Sequence, residues 1–119
     1  MSKILIVDDN AQNLYLAKFL LEQSGHQIEE VHNGQEAVDF CKTNELDLIL
    51  MDVQMPVMDG LTATKIIKSE VNEKMQIVAL TAKAMAGDKE EILAAGCDGY
   101  IKKPIAPDTF VNLVKVYLK

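Results

Sequence analysis

The stretch Leu46-Asp47-Leu48-Ile49-Leu50-Met51-Asp52, followed by Val53-Gln54-Met55-Pro56-Val57-Met58-Asp59-Gly60, decides how the rest of the chain is read. Leu46 to Met51 is mostly apolar, without the alternation of a strand that has one face in water. Such a run reads as a strand buried on both faces. Met55-Pro56 and Asp59-Gly60 then punctuate a loop. Leu61, Ala63, Ile66 and Ile67 follow at helical spacing. Asp52 stands between strand and loop. A carboxylate closing so apolar a strand is unfavourable unless something compensates its charge. Asp52 is therefore a candidate functional residue, while Asp59-Gly60 reads as a turn and helix-entry signal.

The same unit recurs in both directions. Upstream, Ile4-Leu5-Ile6-Val7 is a short apolar run. Leu14, Ala17 and Leu21, widened by Leu16 and Leu20, form a helical stripe that Gly25 is suited to stop. Ile28 to Val31 reads as a weaker strand. Asn33 with Glu36 is a capping-box-like start for a helix carrying Ala37, Val38 and Cys41. Downstream, Ile77-Val78-Ala79-Leu80 is a strand. Asp88 with Glu91 predicts an N-cap pair for a helix bearing Ile92 and Leu93 and ending at Gly96. Gly99-Tyr100-Ile101 is a short fifth strand. Pro107 and Asp108 open a last helix, where Phe110, Leu113, Val114 and Tyr117 share a face. Five β-α units imply a parallel sheet covered by helices on both sides. The length fits a three-layer, doubly wound α/β sheet rather than a closed eight-stranded barrel.

Composition narrows the function classes. The chain has 119 residues, about one domain's worth, with 49% apolar and 25% charged residues. Eighteen acids against twelve bases give a net charge of -6, which argues against a nucleic-acid-binding face. All twelve bases are Lys, so forked Arg contacts to phosphate or guanine are impossible. No apolar run is long enough to span a bilayer, and no signal peptide is expected, because Met1-Ser2-Lys3-Ile4 enters a strand-like run at once. Cys41 and Cys97 lie far apart and form no metal-spaced pair with a histidine. They read as small buried hydrophobes, and a reduced, cytoplasmic setting is the plain reading. His26 and His32 read as surface residues beside the weak second strand.

In doubly wound sheets, ligands bind beyond the C-terminal strand ends. Here those ends carry Asp8-Asp9 after the first strand, Asp52 after the third, Thr81 after the fourth and Lys103 after the fifth. Three close carboxylates repel one another unless one takes up a proton or a cation sits among them. Oxygen ligands without His or Cys suit a hard ion such as Mg²⁺. A carboxylate also acts as a nucleophile toward phosphorus, forming an aspartyl-phosphate. That transfer needs a metal and a fixed cation, which Lys103 can supply. Thr81 can donate to a phosphoryl oxygen. Asp52 is the best candidate nucleophile, because it stands singly on a strand near the middle of the sheet, with Asp8 and Asp9 left to serve the metal.

These residues resemble the receiver domain of two-component response regulators over essentially the whole chain. The resemblance is carried by Asp8-Asp9 after Leu5-Ile6-Val7, Asp52 ending Leu48-Ile49-Leu50-Met51, Met55-Pro56 with Asp59-Gly60, Thr81-Ala82, and Lys103-Pro104. It implies a flavodoxin-like sheet of order 2-1-3-4-5. It implies that Asp52 accepts a phosphoryl group from a phosphohistidine on a sensor histidine kinase or a histidine phosphotransfer protein. Mg²⁺ would be bound by Asp9, Asp52 and the backbone carbonyl of Gln54, with Asp8 acting through water. Thr81 would move toward the phosphoryl group, Tyr100 would swing inward behind it, and Lys103 would pair with the phosphate. Ala82 would offer a backbone N–H, and Lys103-Pro104 would be a cis peptide. Gln54 and Lys83 match positions whose side chains flank the phosphoryl group and tune its lifetime.

The resulting expectation is a single receiver domain over residues 1–119, a bacterial, cytoplasmic phosphorylation switch. Its fourth helix, fifth strand and fifth helix would present a phosphorylation-dependent face to a protein target. It is not expected to be an enzyme beyond its own phosphorylation and dephosphorylation, nor to bind nucleic acid or membrane. Met1 directly before the first strand favours an intact N-terminus. A receiver excised from a hybrid kinase or a longer regulator is the alternative context. A haloacid-dehalogenase-like phosphatase would carry Asp-x-Asp-x-Thr after its first strand, where this chain has Asp8-Asp9-Asn10-Ala11-Gln12. A flavin or nucleotide module would need a phosphate-cradling loop there, where two carboxylates would repel a phosphate.

Overall fold

A computed structural model describes residues 2–82 and 85–118. Five strands, β1 (Lys3–Val7), β2 (Gln27–Val31), β3 (Leu48–Asp52), β4 (Ile77–Thr81) and β5 (Gly99–Lys102), alternate with five helices. The helices are α1 (Ala11–Gln23), α2 (Gly34–Thr43), α3 (Gly60–Ile66), α4 (Ala86–Ala94) and α5 (Pro107–Tyr117). All pairings are parallel, in the order β2-β1-β3-β4-β5. Among the described residues, no helix is long and apolar enough to cross a membrane.

Successive strand side chains point to opposite faces, and the core divides accordingly. Leu5, Val7, Ile49, Met51, Ile77 and Ala79 pack under α2 and α3, with Ile92 of α4. Ile4, Ile6, Leu48, Leu50, Val78 and Leu80 pack under α1 and α5, against Leu14, Leu21, Phe110 and Val114. Every residue of β3 and β4 is buried, as central strands between two helical layers require. Edge strand β2 has only Ile28 fully buried, which explains its weak signal in the sequence.

Helix starts follow local chemistry. Asn10 accepts from the Asn13 amide at 3.0 Å, Asn33 from the Glu36 amide at 2.9 Å, and Asp59 from the Thr62 amide at 2.8 Å. The Glu36 carboxylate reaches back to the His32 amide at 2.7 Å, one residue before the cap. Gly25 and Gly96 follow the ends of α1 and α4 with φ of +91° and +107°, the left-handed turn that glycine adopts without penalty.

The strand read from Leu46 starts at Leu48, because the ladders to β1 and β4 begin at Leu48 and Ile49. Asp88 is not the cap of α4. The helix starts earlier, with Met85 at the cap position and no side-chain cap bond. Asp88 instead lies in the first turn, where its negative charge interacts favourably with the helix dipole's positive end. Leu113 does not join Phe110 and Val114 in the core but is 45% exposed on the flank of α5. His26 is not a plain surface residue. The turn at Gly25 brings its amide to the Leu21 carbonyl, and both ring nitrogens are buried with no hydrogen-bond partner among the described residues. Finally, α3 runs on into a π-helical turn, Ile67–Val71, which the spacing of apolar residues does not announce.

Candidate functional site

The strand register assembles the site. Val7 of β1 pairs with Met51 of β3, so the residues that follow them, Asp8 and Asp52, emerge side by side. Asp52 pairs with Leu80 of β4, and Thr81 pairs with Lys102 of β5. A cleft of about 220 Å³ opens at this edge, lined by both aspartates, Asp9, Gln54, Thr81 and Lys103 among others. A larger groove of about 670 Å³ lies at the opposite strand ends, between Cys41 and Met75. The Asp47 carboxylate on its wall is already engaged by the Lys3 amide at 2.7 Å, and burial pushes the Cys41 thiol up to about 11, leaving it a neutral hydrophobe.

Asp8 and Asp52 are 1% and 5% exposed, whereas Asp9 faces solvent. One oxygen of Asp8 accepts from the Asn10 amide at 2.9 Å. Its other oxygen is sealed from solvent, with the Lys103 ammonium at 3.2 Å as ion-pair partner but no well-formed hydrogen bond. The same ammonium lies 3.0 Å from Oδ1 of Asp52. The Lys103 amide donates to the Thr81 carbonyl at 2.7 Å, which fixes its stem at the end of β5, and the Lys103–Pro104 peptide is cis. Burial pushes the Asp52 carboxyl up to about 6, with the Asp8 charge adding to the rise and Lys103 opposing it. Burial acts against the Lys103 charge, yet the two carboxylates outweigh it and hold the ammonium's pKa above its ordinary value.

The donor set fits a hard cation. Carboxylate oxygens of Asp8, Asp9 and Asp52 lie within 4.8 Å of one another. Among the described residues, three carboxylates face one ammonium here, and the excess of negative charge is what a divalent ion would balance. The incompletely satisfied Asp8 oxygen is what such a site leaves when its ligands are oxygens alone.

The remaining predicted residues are distributed around this centre. Thr81 is buried at the end of β4, and Ala82 is exposed on the cleft wall. Tyr100 is half-buried, its register partner is Ala79, and the Lys89 ammonium lies 5.5 Å from its ring centroid. Gln54 is exposed beside the cleft, and Lys83 lies outside the described residues. Asn13, one turn into α1, also lines the cleft. Sequence reading passes over it, because nothing in a lone helical Asn distinguishes a cleft wall from a solvated face.

The family model described as the response regulator receiver domain matches residues 4–115. The chain belongs to the response regulator receiver family. This receiver is 41% identical over 116 residues to the polar-differentiation response regulator DivK of Brucella anthropi, across 97% of this chain and 94% of that one. The chemotaxis response regulator CheY4 of Vibrio cholerae has the same fold, with a TM-score of 0.94 at 29% identity over 99% of both chains. The receiver domain of the sensor histidine kinase PA1611 from Pseudomonas aeruginosa is 34% identical, with a TM-score of 0.87 over 98% of this chain and 96% of that one. Its structure holds a magnesium ion coordinated in the active-site cleft. Membership places this receiver in two-component signalling, in a family of phosphoacceptor switches that work with histidine kinases and downstream targets.

Proposed function

We propose that the chain is a self-standing, cytoplasmic response regulator, a single receiver domain over residues 1–119, whose Asp52 is phosphorylated by a phosphohistidine of a sensor histidine kinase or a histidine phosphotransfer protein. One observation carries the reading: a buried carboxylate at the end of the central strand, 3.0 Å from a fixed ammonium and within ligand distance of two further carboxylates. An oxygen of Asp52 attacks phosphorus, the phosphorus–nitrogen bond breaks, and its electron pair returns to the imidazole. Asp52 must be ionised to do so. With its pKa at about 6 it is mostly carboxylate above neutrality.

Asp8, Asp9, Asp52 and the Gln54 carbonyl would hold Mg²⁺, which when bound neutralises charge on the transferring group. Lys103 turns from Asp52 toward the new phosphoryl oxygens while keeping Asp8. Thr81 donates its hydroxyl, and the Ala82 amide donates beside it. Gln54 and Lys83 flank the group and set its lifetime. Thr81 and Tyr100 belong to the same face of the sheet, Tyr100 beside Ala79 and Thr81 two residues on. Movement of Thr81 toward the phosphoryl group therefore opens space for Tyr100, and the α4-β5-α5 face presented to a protein target changes with it. The reading of a self-standing regulator draws on the likeness to DivK, most of whose length the match spans.

The test is intact mass after incubation with acetyl phosphate, with and without Mg²⁺, on the wild type and Asp52→Asn. A Mg²⁺-dependent gain of one phosphoryl group in the wild type alone is expected. If acetyl phosphate, a phosphorylated sensor kinase and beryllofluoride all leave Asp52 unmodified, the phosphoacceptor reading is wrong.

A further inference from the structure

The loop that carries Gln54 is held by a contact far along the chain. Its base is closed by two hydrogen bonds, from the Val53 amide to the Leu80 carbonyl at 3.1 Å and from the Gly60 amide to the Val53 carbonyl at 3.0 Å. Its tip is a γ-turn: the Met58 amide donates to the Pro56 carbonyl at 2.8 Å, across Val57 at φ +69°. Positive φ is a true outlier for a β-branched residue, and this form of γ-turn is rare and strained. Val57 is 83% exposed, so its own side chain has little packing to hold it there. Such a conformation persists only when the surroundings over-determine it.

The surroundings that do so belong to α2. The Gly34 amide, at the first position of that helix, donates to the Met58 carbonyl at 3.0 Å. A Cβ on Gly34 would meet the Met58 carbonyl oxygen at 2.5 Å, and the Asp59 carbonyl oxygen and Ala63 Cβ at 3.0 Å. These are mainly backbone groups, which cannot rotate away as a flexible side chain would. Gly34 is itself fixed, because Asn33 caps α2 and Glu36 binds the His32 amide.

We infer that Gly34 is a positioning residue for the cation site: its bare amide docks the Met58 carbonyl, holds the strained turn at Val57, and so sets where the Val53–Gln54 backbone meets the Asp8–Asp9–Asp52 cluster. The inference rests on the cation reading given above. It makes α2, which contributes no side chain to the cleft, a determinant of cation affinity.

The test is binding of Mn²⁺, read by the paramagnetic resonance signal of the free ion, and of Mg²⁺ by calorimetry, on the full chain without phosphodonor. Gly34→Ala is expected to weaken binding by about tenfold, the lower range for losing a group that supports metal ligands. Initial phosphorylation at saturating Mg²⁺ falls far less. Adding Val57→Gly to Gly34→Ala restores part of the affinity, since glycine keeps positive φ without the clamp. A packing role alone would lower stability without this rescue. Should Gly34→Ala not fold, Asn33→Ala, which adds no bulk, decides; it is expected to shift affinity the same way by a smaller factor. A wild type that binds no divalent cation overturns the site reading and the clamp together. A wild type that binds, with affinity unchanged in the variant that folds, overturns the clamp alone.

Discussion

Asp52 shows at the residue scale how a site stores unfavourable electrostatics. Its carboxyl has a folded pKa of about 6, raised by burial above an ordinary value of 3.8. The native state therefore holds this proton more tightly than the unfolded chain does. The contribution is stabilising below the unfolded value and is lost as pH rises through the folded one. In metal-free protein, Asp52→Asn is expected to raise the melting temperature by several degrees near pH 7.5. The gap is expected to close toward pH 4.5, where the wild-type carboxyl is protonated. The difference between the folded and ordinary values corresponds to a stability difference on the order of 3 kcal/mol. Equal melting temperatures across that pH range would show that Lys103 fully compensates the buried charge.

At the element scale, helix α3 depends on one side chain at its entrance. Asp59 accepts from the Thr62 amide, and the short helix then passes into the π-helical turn at Ile67–Val71. Asp59→Ala leaves that amide without its acceptor and is expected to cost about 1 kcal/mol. A chemical-denaturation midpoint lowered without a change in slope would report this. An unchanged midpoint would mean that water replaces the cap. Sequence reading identified this entrance because Asp-Gly is a local signal. It misplaced the start of α4, where Met85 gives no side-chain cap and Asp88 looks like one. It missed the close approach of Gly34 to Met58, since nothing in a glycine tells which distant backbone will pack on it.

For the whole molecule, cation binding and folding are linked. A ligand that binds only the folded state stabilises it, by about 2.7 kcal/mol at a hundredfold excess over its dissociation constant. Millimolar Mg²⁺ is therefore expected to raise the melting temperature of the wild type progressively and that of Asp9→Asn much less. Asp9 is exposed, so its substitution does not disturb the core. An equal rise in both proteins would place the ion elsewhere.

The alternation of strands and helices was legible in the chain itself, because strands buried on both faces must be continuously apolar and helices covering them must carry a stripe. The residue types at the strand ends were legible for the same reason: an acid that closes an apolar strand is conspicuous. The sheet order was reached through the family resemblance rather than through spacing. Only the tertiary structure separated buried Asp8 from exposed Asp9, which are neighbours of identical chemistry. Only it set Lys103 between Asp8 and Asp52 and placed the Gly34 amide against the Met58 carbonyl. Burial and ion pairing at these positions arise between segments far apart in the chain, and local sequence carries no record of which segments meet.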